Sequence, residues 1–146
     1  MRYPIWLFML LLFTGACKKN TPSSSGSIYG SWELRETSGA SLPGSTKYAP
    51  GNGNILDYSG TNYMIYRPGQ PTKTGSFKIV ADLTASENIC LLLPKGKFTN
   101  RLIYDANDST AKIFYQVDGD KLTFYSGCYA YDAGHSETYE RRKAVD

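Results

Sequence analysis

From residue 28 onward, apolar and polar residues alternate in short runs divided by glycine, proline, asparagine and aspartate. No stretch of ten or more residues keeps apolar positions at helical spacing. Alternation with a period of two marks strands that bury one face. Tyr29 to Ser38 sets Trp32 and Leu34 against Glu33 and Arg35, Asn54 to Tyr58 puts Leu56 and Tyr58 on one face, and Asn62 to Tyr66 follows across a Gly60-Thr61 turn. After the loop Arg67 to Pro71, Thr74 to Val80 opposes Phe77 and Ile79 to Ser76 and Lys78. Asn88 to Leu93 reads as a nearly all-apolar strand stopped by Pro94, which cannot donate to a ladder. Arg101 to Asp105, Ala111 to Val117, Lys121 to Ser126 and Ser136 to Arg142 complete the series. Asp118-Gly119 is the clearest hairpin turn, because both residues tolerate the positive φ of a tight primed turn.

The pattern therefore predicts an all-β domain: an antiparallel up-and-down β-barrel of about eight strands, since consecutive strands pair most economically and an open sheet of that size exposes two edges. A sandwich is the alternative closure. The residues expected to point inward are Trp32, Leu34, Tyr58, Phe77, Ile79, Leu91, Leu102, Ile113 and Phe124.

The first 16 residues differ from the rest. One charge at Arg2, an unbroken apolar run from Ile5 to Phe13 and the small residues Thr14, Gly15 and Ala16 precede Cys17. This is a signal peptide over residues 1–16, its apolar run being well short of the roughly 20 residues that span a bilayer. It resembles the signal of bacterial lipoproteins, which implies that the thiol of Cys17 carries lipid and that several acyl chains, palmitate among them, anchor the mature chain. An ordinary secretory signal cut after Ala16, leaving a free thiol, is the other reading. Residues 17–27 are polar and serine-rich, a flexible tether, and residues 28–146 form the barrel domain. With no aspartate after Cys17, the outer membrane is the expected site, on its periplasmic or surface face.

Gly30-Ser31-Trp32 at the start of the first strand resembles the Gly-x-Trp that opens lipocalins. The run to Leu34, together with Pro50-Gly51-Asn52-Gly53-Asn54, is similar to small bacterial lipocalin-like lipoproteins of the calycin type. The resemblance implies an up-and-down barrel and a last-strand arginine lying across the tryptophan at the closed end. Arg141 or Arg142 falls at that place, with Arg141 the first choice as the partner of Trp32. It also implies binding of a small apolar molecule in the cup.

Composition adds exclusions. A chain with 41% hydrophobic and 20% charged residues buries a core, and a net charge of +3 with no basic stripe leaves nucleic acid without a surface. The one histidine, His135, sits in the turn-like Asp132-Ala133-Gly134-His135-Ser136-Glu137, where a solvated loop position is expected. There is no Gly-x-Ser-x-Gly elbow, no Cys-x-x-Cys and no His-x-x-x-His. Gly51-Asn52-Gly53 lacks the third glycine of a dinucleotide loop and reads as a turn. Asp105 to Ser109 starts like a calcium loop, but Thr110 stands where glycine is required and Gln116 where glutamate is. No catalytic residue, metal ligand or cofactor is assigned.

Cys90 and Cys128 remain, an even pair in an oxidising compartment, and are expected to form a disulfide; two buried thiols acting as small apolar residues are the alternative. Tyr58, Tyr63, Tyr66, Tyr104, Tyr115, Tyr125, Tyr129, Tyr131 and Tyr139 lie in or beside strands. Tyrosine suits half-buried strands on its own account, and it also suits a cup that holds a sugar or an amphipathic ligand. In Gly127-Cys128-Tyr129-Ala130-Tyr131 the tyrosines lie in a loop, where strand propensity does not explain them. Tyr58, Tyr63, Tyr129 and Tyr131 are thus the candidate ligand or partner contacts. The function expected is non-enzymatic binding of a small apolar or amphipathic molecule or a glycan. A barrel filled by its own side chains and acting as a protein-interaction or inhibitor module in the envelope is the alternative.

Overall fold

A computed structural model describes residues 26–109 and 111–143. The signal peptide, Cys17 and most of the tether lie outside the described residues. The strands are β1 (Gly30–Gly39), β2 (Leu42–Lys47), β3 (Ile55–Ser59), β4 (Asn62–Tyr66), β5 (Lys73–Ala81), β6 (Asn100–Tyr104), β7 (Ile113–Asp118), β8 (Lys121–Ser126) and β9 (His135–Arg141). One short helix, α1 (Ala85–Ile89), lies between β5 and β6. From β3 to β9 each strand pairs antiparallel with the next, and β9 returns to β1, closing an eight-stranded barrel. The sheet closes on itself, so the sandwich is set aside.

β2 is an addition that the alternation did not reveal. One edge of β1 is shared, Gly30 to Glu33 pairing with β3 and Glu36 to Gly39 with β2. Residues 48–54 leave the ladder at the junction and arch over Glu33, which is 6% exposed. Its carboxylate accepts the N–H groups of Gly51 and Gly53, both at 3.2 Å, and pairs with Arg35 at 2.8 Å. Burial by itself would raise the pKa of Glu33; the hydrogen bonds from Arg35 and the two glycines outweigh it and hold the carboxyl below its ordinary value. Gly51 and Gly53 sit at φ of +81° and +77°, which lets both amides turn toward one acid. Arg35 reaches Glu140 of β9 at 2.8 Å and lies at a register shift between Leu34 and Glu36, a bulge in the closing seam.

The end of the barrel where β1 begins is filled. Trp32, Leu34, Tyr58, Phe77, Leu102, Tyr115, Val117 and Leu122 are buried there with Ile28. The Trp32 indole N–H donates to the carbonyl of Ile28 at 2.7 Å, and the Arg141 guanidinium lies 4.0 Å above the indole ring centre. Arg141 also donates to the carbonyls of Tyr29 at 2.8 Å and Ser27 at 2.9 Å. A Cβ on Gly30 would come within 3.0 Å of that guanidinium, so the glycine of Gly-x-Trp keeps the space through which the arginine reaches the incoming chain.

Three expectations are corrected. Asn88 to Leu93 is not a strand: α1 buries Ala85 and Ile89, four residues apart, and Cys90 ends it in the left-handed conformation at φ +58°. The apolar run had masked that helical spacing. Leu91 is consequently turned outward and more than a third exposed. Ile79 is similarly exposed, because β4 stops pairing with β5 at Ser76 and leaves Lys78 to Ala81 only the β6 ladder.

A second small core lies outside the barrel, where Ala85, Ile89 and Phe98 cover Phe114 on the outer face of β7. Asp82 fixes the start of this excursion through Arg101 at 3.0 Å and Lys112 at 2.9 Å. The Cys90–Cys128 disulfide, with Cα atoms 5.0 Å apart, ties the excursion to the segment after β8.

Trp32→Ala is expected to lower unfolding free energy by about 3 to 5 kcal/mol in urea denaturation, the cost of emptying a large buried site. Opening the 38-residue disulfide loop with Cys128→Ser is expected to cost up to about 4 kcal/mol, read from the shift of the melting temperature.

Candidate functional site

At the opposite end the barrel is hollow. A cup of about 290 Å³ is lined from every strand between β3 and β9: Leu56, Tyr63, Ile65, Tyr104, Ile113, Phe124 and Tyr139 form its walls, and Arg67, Lys73, Ser126, His135 and Glu137 add polar groups. The walls follow from strand parity. Once Tyr139 and Arg141 face the interior, Glu137 and His135 do too, two and four residues earlier on β9. The cup continues into a rim hollow of about 380 Å³ that shares Lys73, Tyr104, Ile113 and Ser126 and adds Asp105 and Ala111. A depression bounded by Asp57, Asn62, Met64 and Thr74 lies instead on the outer wall and is shallow.

Aromatic rings line the cup edge to face. Tyr63 and Tyr104 have centroids 4.7 Å apart, and Phe124 and Tyr139 are 5.8 Å apart. The hydroxyls are held by two acids and by each other. Glu137 accepts from the hydroxyl of Tyr139 at 2.8 Å and lies 3.4 Å from both Arg67 and His135. The hydroxyls of Tyr58 and Tyr104 hydrogen-bond each other. Tyr63 donates to Asp105 at 2.8 Å, and Gly75 makes that approach possible, since a Cβ there would fall 2.1 Å from the Asp105 carboxylate. The Lys73 ammonium lies 5.8 Å from the Tyr63 ring centre.

Burial pushes the phenols up. Tyr63 is raised by burial and by the Asp105 carboxylate to about 12. Tyr104, Tyr139 and Tyr58 are also raised by burial, with the negative charge of Glu137 adding to each. These hydroxyls are neutral hydrogen-bonding groups at physiological pH.

Tyr63 lines the cup, while Tyr58 lies beneath it with 1% exposure and reaches the cup only through Tyr104. Tyr129 and Tyr131 lie in a 3-10 turn between β8 and β9, outside the cup. Tyr129 packs on Tyr125 over the outer core, its buried hydroxyl without a partner, and Tyr131 is 83% exposed. Trp32 and Arg141 stack at the closed end. His135 opens β9 instead of lying in a loop, and its side chain, 48% exposed, stands at the rim of the lining. Sequence reasoning passed over Glu137, Arg67, Lys73, Tyr104 and Tyr139 as a group. The legible signal was an acid on the inward parity of the last strand.

Ser126 and His135 are register partners, and His135 stands beside Glu137, an order of residue types that suits hydrolysis. Among the described residues no side-chain hydrogen bond joins Ser126 to His135. Among the described residues no group of three or more His, Cys, Asp or Glu side chains gathers as a metal would require.

Compared with protein-family models, curated proteins and solved structures, the chain gives no match. The class is the one its architecture defines: a small, closed, eight-stranded antiparallel barrel, packed at one end and open as a cup at the other.

In a phenolate absorbance titration, a group of tyrosines is expected to stay protonated well above pH 10, where free tyrosine ionises. Their folded pKa values are raised, so the stability they contribute is full below about pH 10 and lost as pH rises toward and past 12. Alkaline unfolding is expected to coincide with the late phenolate signal.

Proposed function

We propose that this protein is a lipid-anchored component of a bacterial cell envelope, held at the outer membrane through Cys17, whose lipocalin-like barrel binds a small amphipathic molecule or a glycan without catalysing a reaction. The observation that carries this reading is the cup. Its roughly 290 Å³ falls near the lower bound of ordinary ligand sites, and it combines apolar and aromatic walls with a few convergent polar groups. The disulfide supports an extracytoplasmic location, because such bonds persist where the surroundings are oxidising.

A second reading has one observation in its favour. Leu83, Leu92 and Tyr131 are 82%, 101% and 83% exposed, as on a protein that presents apolar side chains to an envelope partner. In that reading the contact surface is the outer wall, and the cup stays empty.

Two measurements test the proposal. Cells fed labelled palmitate are expected to label the wild-type chain and not Cys17→Ser, with the variant leaving the membrane fraction; labelling that persists in Cys17→Ser overturns the anchor. Native mass spectrometry of the full exported chain is expected to show a stoichiometric small-molecule adduct. A bare mass that remains bare after incubation with envelope lipids and glycans transfers support to the outer-wall reading.

A further inference from the structure

The polar groups inside the cup decide what kind of molecule it accepts. An apolar occupant that expelled water would leave Glu137 and the Tyr104 hydroxyl facing hydrocarbon, with a desolvation penalty at each unmet donor or acceptor. The occupant must therefore supply hydrogen bonds of its own.

It must also both give and receive them. Arg67 makes one long contact, 3.4 Å to Oε1 of Glu137, and most of its guanidinium donors are unspent. Glu137 receives Tyr139 on Oε2 and has both Arg67 and His135 at 3.4 Å from Oε1, so Oε2 keeps a lone pair as an acceptor. The mutual bond between Tyr58 and Tyr104 uses only one of the two hydroxyl protons and leaves the other to donate. Donors and acceptors thus alternate around a small space, the complement of hydroxyl groups, which do both.

The charges nearly cancel. Arg67 stands against Glu137, and at the rim Asp105, held below its ordinary value first by the Tyr63 hydroxyl and the Ser76 N–H, also feels the positive charge of Lys73. A lining balanced in this way gives neither a bare anion nor a bare cation an advantage, so the occupant is neutral. Between the polar groups, Leu56, Ile65, Ile113 and Phe124 and the part-buried ring of Tyr104 present apolar surface, with Tyr63, 2% exposed, packed edge to face behind Tyr104. The space equals about ten liquid waters at ~30 Å³ each, room for one sugar ring with its hydroxyls and short for a long acyl chain.

We infer that the cup takes a neutral pyranose, either free or as the terminal residue of a glycan, with its hydroxyls on Glu137 and Arg67 and its C–H face against the Tyr104 ring. This rests on the binding reading above and selects within it.

The test uses the full exported chain in phosphatidylethanolamine–phosphatidylglycerol nanodiscs, free of sugar detergents. Saturation-transfer NMR is run with glucose, galactose, mannose and N-acetylglucosamine, and separately with decanoate. At least one sugar is expected to bind and to resist competition by decanoate. Glu137→Gln and Arg67→Gln are each expected to weaken it tenfold or more at unchanged melting temperature. If Glu137→Gln fails to fold, Arg67→Gln decides alone, since its side chain is 41% exposed. Decanoate binding with no sugar signal overturns the sugar assignment and leaves the binding reading standing. Sugar binding at full strength in the folded variants places the sugar outside the cup and also overturns it. Silence from every probe overturns both.

Discussion

A barrel rolled from a single sheet has a seam, and the stability of every other strand pair depends on that seam staying shut. Here β1 meets β9 from Trp32 opposite Arg141 to Gly39 opposite His135, the whole height of the wall. The seam is reinforced where backbone pairing is least regular. At the bulge, Arg35 bridges Glu33 on its own strand and Glu140 on the other, so the extra residue that breaks the ladder also supplies a charged link across it. Glu33 in turn holds the arch of residues 48–54 over the gap where β1 changes partner from β3 to β2. Closure and partner exchange are joined through one buried acid.

The closed seam divides the interior into two regions with different chemistry. Around Trp32 the packing is continuous and the polar atoms that enter find partners at once, as the indole N–H does at Ile28. Above Tyr58 the side chains end in hydroxyls, a carboxylate and cations that line an open space. Tyr58 marks the border: its ring belongs to the core and its hydroxyl to the cup, through Tyr104. At the cup end the inward positions of β6, β8 and β9 are Tyr104, Ser126, and Glu137 with His135.

Much of this was legible in the sequence. Period-two alternation gave the strand order and the class, and Asp118-Gly119 lies at its hairpin between β7 and β8. What failed did so for identifiable reasons. Leu91, Leu92 and Leu93 look like core because they are apolar, but their direction is set by the helical turn before them and by Cys90 at positive φ, a tertiary choice fixed by where Ile89 finds Phe114. β2 has little alternation to betray it, being Leu42 to Lys47 through a proline and a glycine. The cup was harder still. Tyrosines are visible in the chain, but which of them share a space depends on the stagger between strands far apart in sequence, and Tyr129 beside Tyr131 looked more like a site than Tyr104 beside Glu137.

The grip of Arg141 on the carbonyls of Tyr29 and Ser27 changes how the domain bears load. A pull on the chain before residue 26 would, in a simple hairpin, act on β1 alone and unzip it from its neighbours one pair at a time. In this barrel the same force reaches β9 before β1 begins, through an arginine that is also pressed against Trp32. Tension is divided between the first and last strands, so the barrel resists being opened from the end at which its chain enters.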